Sequence, residues 1–134
     1  MEGDRCTPSG IFSIEKIYFR KDKLKLPKIN FQTISINKNF GWCDDINSLH
    51  YNKFIKFPFS YSAEKLFRDD DIYDIVCVIS YNTNPIIKNA GSAIFLHIAN
   101  NDYPGTAGCI ALKQNDLIEL LKNINADTKI NILD

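Results

Sequence analysis

The chain has 134 residues, 45% apolar and 24% charged, which is enough for one soluble globular domain that builds its core without disulfides or a metal. Lysine plus arginine equal aspartate plus glutamate at 16 each, so the formal net charge is zero and the basic surplus of a nucleic-acid binder is missing. No apolar run reaches bilayer length, and the polar opening Met1-Glu2-Gly3-Asp4-Arg5 does not read as a signal peptide.

From Gly10 to Tyr18 the pattern is strand-like, but Ile11, Ser13, Glu15 and Ile17 do not keep one alternation, which leaves the register open. Lys16, Arg20, Lys21, Lys23, Lys25 and Lys28 then form a basic stretch. It has no interleaved aromatic spacing for base stacking and is expected to be the solvated side of a strand and loop. Phe31 to Ile36 alternates and is β-branched, so it predicts a strand; Tyr51 to Phe57 predicts another, stopped by Pro58. Ser62 to Phe67 is expected to make a short helical turn. Tyr73 to Tyr81 (YDIVCVISY) is a continuous apolar run of the length of a central strand covered on both faces. Asn82-Thr83-Asn84-Pro85 marks a turn. Ala93 to Ile98 (AIFLHI) predicts a second buried strand. A helix is expected over about Asn115 to Ile124, with Leu117, Ile118, Leu120, Leu121 and Ile124 on one face and Asn115 and Asp116 as its cap and N-terminal charge. Thr128 to Leu133 alternates as a last strand. Strands dominate, and the expected fold is mainly β, a sandwich or barrel with one or two short helices in a single domain over residues 1–134.

The four cysteines, Cys6, Cys43, Cys77 and Cys109, include no CxxC pair, so neither a zinc ribbon nor a thioredoxin motif is suggested. Cys77, inside Ile75-Val76-Cys77-Val78-Ile79, is expected to be a buried small hydrophobe. Cys109 differs in its surroundings. A strand delivers His97 at its end, a polar loop follows, and the chain returns through Gly105-Thr106-Ala107-Gly108 to Cys109. Small residues let backbone approach a substrate closely. A thiol needs a base to become the attacking thiolate, and an imidazole across a loop is a common one. Backbone N–H groups near Gly108 could face the oxyanion of a tetrahedral intermediate. The chemistry this pattern points to is acyl transfer through a thioester, against the plainer reading of one core cysteine and one structural histidine. Metal ligation by His97, Cys109 and one of Asp44, Asp45 or His50 would need irregular spacing, and no metal is expected.

At these residues the sequence resembles the L,D-transpeptidase (YkuD-like) catalytic domain of bacterial cell-wall enzymes, in the branch with a GSAIFLH…TAGC(V/I)AL signature. The matching blocks are Gly91 to His97 and Thr106 to Leu112. Gly3 to Phe12 resembles the family's GDG(K/R)TPxGxF block, and Trp42-Cys43-Asp44-Asp45 with His50-Tyr51-Asn52 resembles WCDDPxSxxYN. Ser62 to Arg68 resembles SAExMxR, and Tyr73-Asp74 with Tyr81-Asn82 resembles YD…xYN. The resemblance implies a YkuD-like fold, Cys109 as the acyl-enzyme nucleophile, His97 as its general base and Gly108 as a backbone oxyanion donor. It implies a peptidoglycan stem tetrapeptide as donor and a diaminopimelate amine as acceptor, giving a 3→3 cross-link. It also implies a location at the bacterial cell envelope or periplasm. No cofactor is implied, and a monomer is expected.

The widespread family form is SHGC(I/V)R; here Thr106, Ala107 and Ala111 replace the serine, the second histidine and the arginine, as in the branch. Ser92, Thr106, Tyr51, Asn52, Arg68, Asp44 and Asp45 are the substrate-binding candidates, although Asp44, Asp45, Tyr51, Asn52 and Arg68 read first as loop-fixing residues. Asp44-Asp45 is also a candidate third member of a triad that orients His97. Family members carry further strands before the GDG block, so a truncated early sheet is expected. Two competing functions follow: an L,D-carboxypeptidase that passes the same acyl group to water, and a catalytically inactive peptidoglycan-binding relative.

Overall fold

The computed structural model describes residues 9–83, 85–99 and 109–133. Nine strands and one helix follow in the order β1 (Gly10–Phe19), β2 (Thr33–Ser35), β3 (Phe40–Cys43), β4 (Phe54–Lys56), β5 (Ala63–Lys65), β6 (Ile75–Ile79), β7 (Phe95–Ile98), β8 (Ile110–Leu112), α1 (Gln114–Lys122) and β9 (Lys129–Ile132). Six strands form a mixed sheet ordered β2-β1-β6-β7-β8, with β9 paired to the first half of β1. The other three form an antiparallel sheet, β4-β3-β5. The fold is mainly β with a single described helix, as expected from the sequence.

The continuous apolar strands follow from a sheet covered on both sides. Ile75, Cys77 and Ile79 of β6 and Leu96 and Ile98 of β7 pack with Leu117 and Leu121 of α1 and with Ile124 just beyond it. Their alternate neighbours Val76, Val78 and Phe95 face the other way, into a cluster with Phe40 and Trp42 of the small sheet, Tyr18, Leu66, Tyr73 and Cys109. Trp42 meets Phe95 edge to face at 5.4 Å, which ties the two sheets together.

β1 resisted a single alternation because it contains a register shift. Ile14 pairs with Ile79 and Lys16 with Val78, so the pairing slips between them. An extra residue turns the following side chains over, and the period-2 pattern changes phase there.

Four sequence expectations are corrected. Ser62 to Phe67 is not helical: Ala63, Glu64 and Lys65 form β5, paired with Cys43, Trp42 and Gly41. Strand partners supplied by the tertiary fold override the local helical preference of Ala-Glu-Lys. The helix begins one turn position earlier than expected, with Lys113 as N-cap and no side-chain cap bond, so Asn115 lies inside the helix; Asp116 keeps its place in the first turn. Leu120 is on the rim of the apolar face, 38% exposed. Arg20 is buried, unlike Lys16, Lys21, Lys23, Lys25 and Lys28. Its guanidinium binds both Asp22 oxygens (2.8 and 2.7 Å) and the Arg68 carbonyl (2.8 Å) and lies 3.5 Å over the Phe67 ring. A planar cation with an ion pair and an aromatic face can be buried where a lysine would have to reach water.

Candidate active site

Strand pairing brings the two chemistry-bearing residues to one face. β7 and β8 are parallel, with Leu96 beside Ile110 and His97 beside Ala111. One step back along the same register sets Cys109 beside Phe95, and both belong to the cluster under the small sheet. Alternation along β7 puts His97 on the face of Phe95. Tyr73 touches both rings, Phe95 at 5.7 Å and His97 at 5.4 Å.

Cys109 is 8% exposed. Its thiol donates to the Ala93 carbonyl at 3.0 Å. Burial pushes the thiol up to about 12; a backbone N–H bond from Phe95 opposes this and the charge of Glu64 adds to it. The resting sulfur is therefore a neutral S–H with a carbonyl acceptor. A nearby base is needed to ionise it.

His97 lies on the same face of the sheet. Burial holds its imidazole below the ordinary 6.5, against a bond to the Ile98 carbonyl that favours the charged form. Nδ1 lies 2.9 Å from that carbonyl oxygen. A carbonyl only accepts, so Nδ1 carries the proton and Nε2 is the basic nitrogen. The triad role suggested for Asp44 and Asp45 is corrected by this contact. Their carboxylates are used elsewhere: Asp44 accepts from the Ser62 hydroxyl (2.7 Å), and Asp45 from the backbone N–H groups of Asn47 (2.9 Å) and Ser62 (3.1 Å). Those two N–H bonds hold the Asp45 carboxyl below the ordinary carboxylate range.

The small sheet and the loop before β7 shape the site through Asn52. Its backbone is left-handed (φ 57°), a conformation that Asn adopts more readily than most residues. The side-chain oxygen accepts from Trp42 Nε1 (2.9 Å) and from the Ala93 N–H (3.1 Å). The amide nitrogen donates to the carbonyls of Tyr81 (3.3 Å) and Asn82 (2.6 Å). Asn52 thus fixes one side of the Ala93 peptide while Cys109 binds the other. Ala93 itself is left-handed (φ 53°). A non-glycine residue held there is strained, and the bonds on both sides over-determine it. Tyr51 is buried, and its hydroxyl accepts from the Gly91 N–H at 3.0 Å. Gly91 sits at φ 123°, and a Cβ there would press to 3.1 Å from the Tyr81 ring. Ser92, between them, is buried.

Arg68 holds Asp70 in a two-point pair (2.9 and 2.7 Å), and its guanidinium carbon lies 5.3 Å from the centre of the Tyr73 ring. Sequence reasoning did not select Glu64, Tyr73 or Ala93. Tyr73 donates its hydroxyl to Glu64 at 2.8 Å while its ring packs on His97. Tyr73 and Glu64 lie within the YD and SAE blocks, which is the signal that could have found them; Ala93, an alanine beside glycine and serine, carries none. Gly108 and Thr106 lie outside the described residues, as does Cys6. Among the described residues Cys43, Cys77 and Cys109 are free thiols, and no helix is long and apolar enough to cross a membrane.

A sequence model of the L,D-transpeptidase catalytic domain (YkuD) matches residues 1–132, and the chain belongs to that family. Members of the family act on cell-wall peptidoglycan. No curated protein and no solved structure matches the chain.

Proposed function

We propose that the chain is a peptidoglycan L,D-transpeptidase in which Cys109 forms the acyl-enzyme and His97 is its general base. The donor is a stem tetrapeptide cut after diaminopimelate with loss of the terminal D-alanine, and the acceptor is a second diaminopimelate amine. On this reading the chain is one catalytic domain that acts as a monomer at the bacterial cell envelope.

The observation that carries the proposal is the shared sheet face of the thiol and the imidazole, with His97 neutral and its Nδ1 occupied by a carbonyl. In the first step Nε2 takes the thiol proton as the sulfur attacks the substrate carbonyl. The same proton then goes to the leaving amine of D-alanine. The thiol must leave the Ala93 carbonyl for this, so ionisation is coupled to substrate entry. The Gly108 N–H is assigned to the oxyanion, where one donor contributes about 3 kcal/mol to the transition state. Ser92 and Thr106 are assigned to the substrate; Tyr51, Asn52, Asp44 and Asp45 support the loops that hold it.

Incubation with disaccharide-tetrapeptide, followed by mass spectrometry, tests the proposal. The expected result is a thioester adduct on Cys109 and a cross-linked dimer. Tripeptide alone would make the protein an L,D-carboxypeptidase. A protein that never gains mass would be an inactive peptidoglycan-binding relative.

A further inference from the structure

The basic stretch that follows β1 has no part in the chemistry of Cys109, yet it borders a cavity. A cleft of about 410 Å³ is lined by the end of β1, the start of β2 and the segment that joins them. Its apolar lining includes Phe19, Leu24, Leu26, Ile29 and Phe31, all half-buried at the margin of the helix-side core. Lys21 and Lys25 line the same cleft and are exposed, and no acidic side chain lines it. A lysine placed this way lays its apolar stem along the wall and keeps its ammonium in water. The ion pairs nearby leave positive charge over. Asp22 is the single acid within residues 20–28, and both its oxygens are held by the Arg20 guanidinium at 2.8 and 2.7 Å. Lys23 is paired with Asp74 at 2.9 Å. Among the described residues, Lys21 and Lys25 have no ion pair.

We infer that this cleft binds one molecule of an anionic amphiphile, with an apolar chain along Phe19, Leu24, Leu26, Ile29 and Phe31 and an acidic head group at Lys21 and Lys25. The volume and the mainly apolar lining with a few polar groups are those of a small-molecule site. Charge complementarity selects an anion, because both ammonium groups lack a protein partner. The apolar lining selects a chain: a sugar or a nucleotide would leave those side chains without a contact. A bilayer surface is flat on this scale and does not fill a concave cleft, so the occupant is a single molecule. The cleft adjoins the core on the α1 side of the sheet, whereas Cys109 belongs to the cluster on the other side. The inference therefore stands apart from the acyl-transfer reading.

Dodecanoate, kept below the concentration at which it forms micelles, is the probe, titrated into the isotope-labelled full chain and followed by amide NMR. Saturable shifts confined to residues 19–33 are expected. Lys21→Gln combined with Lys25→Gln is expected to weaken binding about tenfold, about threefold for each exposed charge pair lost. Both positions are exposed, so the double variant keeps its fold. Dodecanol, with the same chain and no charge, is expected to bind the unmodified protein about tenfold more weakly than dodecanoate. Shifts that do not saturate, or that scatter over the surface, would overturn the site. So would an affinity in the double variant within about twofold of the parent. Vesicles of phosphatidylglycerol supply the last arm: capture by them, with no response to monomeric dodecanoate, would assign the lysines to a bilayer surface and overturn the single-molecule site.

Discussion

Cys77 and Cys109 lie on adjacent parts of one sheet, and burial pushes both thiols to about 12, yet they stand in different chemistry. Cys77 faces the helix side, among Ile14, Ile17, Ile75, Ile79, Leu96 and Leu117. Burial alone accounts for its shift. Cys109 faces the small sheet, where the Ala93 carbonyl takes its proton in a hydrogen bond, the Phe95 N–H reaches its sulfur, and His97 shares the face. A raised thiol is thus inert or activatable according to what stands around it. The helix side of the sheet is a packing surface; the other side carries the Cys109 thiol and the His97 imidazole.

The sharpest way to break this comparison is to remove each thiol in turn. Cys109→Ala is expected to abolish the acyl-enzyme completely, whereas Cys77→Ala keeps it at a stability cost of about 1 kcal/mol. Mass spectrometry after substrate incubation reads both. Turnover that survives Cys109→Ala would end the nucleophile assignment. Next in size is His97→Ala, expected to slow acylation by about 10²–10⁴-fold, measured by single-turnover kinetics.

Smaller effects separate packing from positioning. Leu117 is fully buried on the helix side. Leu117→Ala is expected to cost about 2–5 kcal/mol in denaturant unfolding, with acylation per folded molecule unchanged. Asn52→Ala leaves the Trp42 indole and the Ala93 N–H without their acceptor, costs about 1–3 kcal/mol, and slows acylation as well, because Ala93 holds the thiol. Equal acylation in both variants would remove the distinction between the faces. The smallest effect is in pH. Folded His97 titrates below 6.5, so the unfolded chain binds the proton first as pH falls. Stability should therefore decline as pH drops below 6.5, and His97→Gln should flatten that part of the curve.

The two strands that lie within long apolar runs, and the helix, were legible because burial on two faces, or along one helical stripe, marks a sequence directly. YDIVCVISY and AIFLHI announced β6 and β7. The strands β3, β5 and β8 were not, since no comparably long apolar run marks them and their pairing comes from partners elsewhere in the chain. Ser62 to Phe67 went wrong for this reason, and β1 stayed ambiguous because the pairing shift between Ile14 and Lys16 inverts its pattern. Within the site, Cys109 and His97 stood out because glycines and a strand end flank them. The Asn52 clamp, the left-handed Ala93 and the Tyr73–Glu64 bond are contacts between residues 9 to 41 positions apart. Nothing in the local sequence encodes such contacts; the packing of the small sheet on the large one creates them.

The most direct measurement is the rate at which Cys109 reacts with a small alkylating agent as a function of pH, in the unmodified protein and in His97→Ala. Proton transfer to a neutral imidazole predicts appreciable labelling near neutrality, an inflection below pH 6.5 as His97 becomes protonated, and loss of that inflection in the variant. Labelling that begins only at strongly alkaline pH, with the same profile in both proteins, would contradict the pairing of sulfur and imidazole.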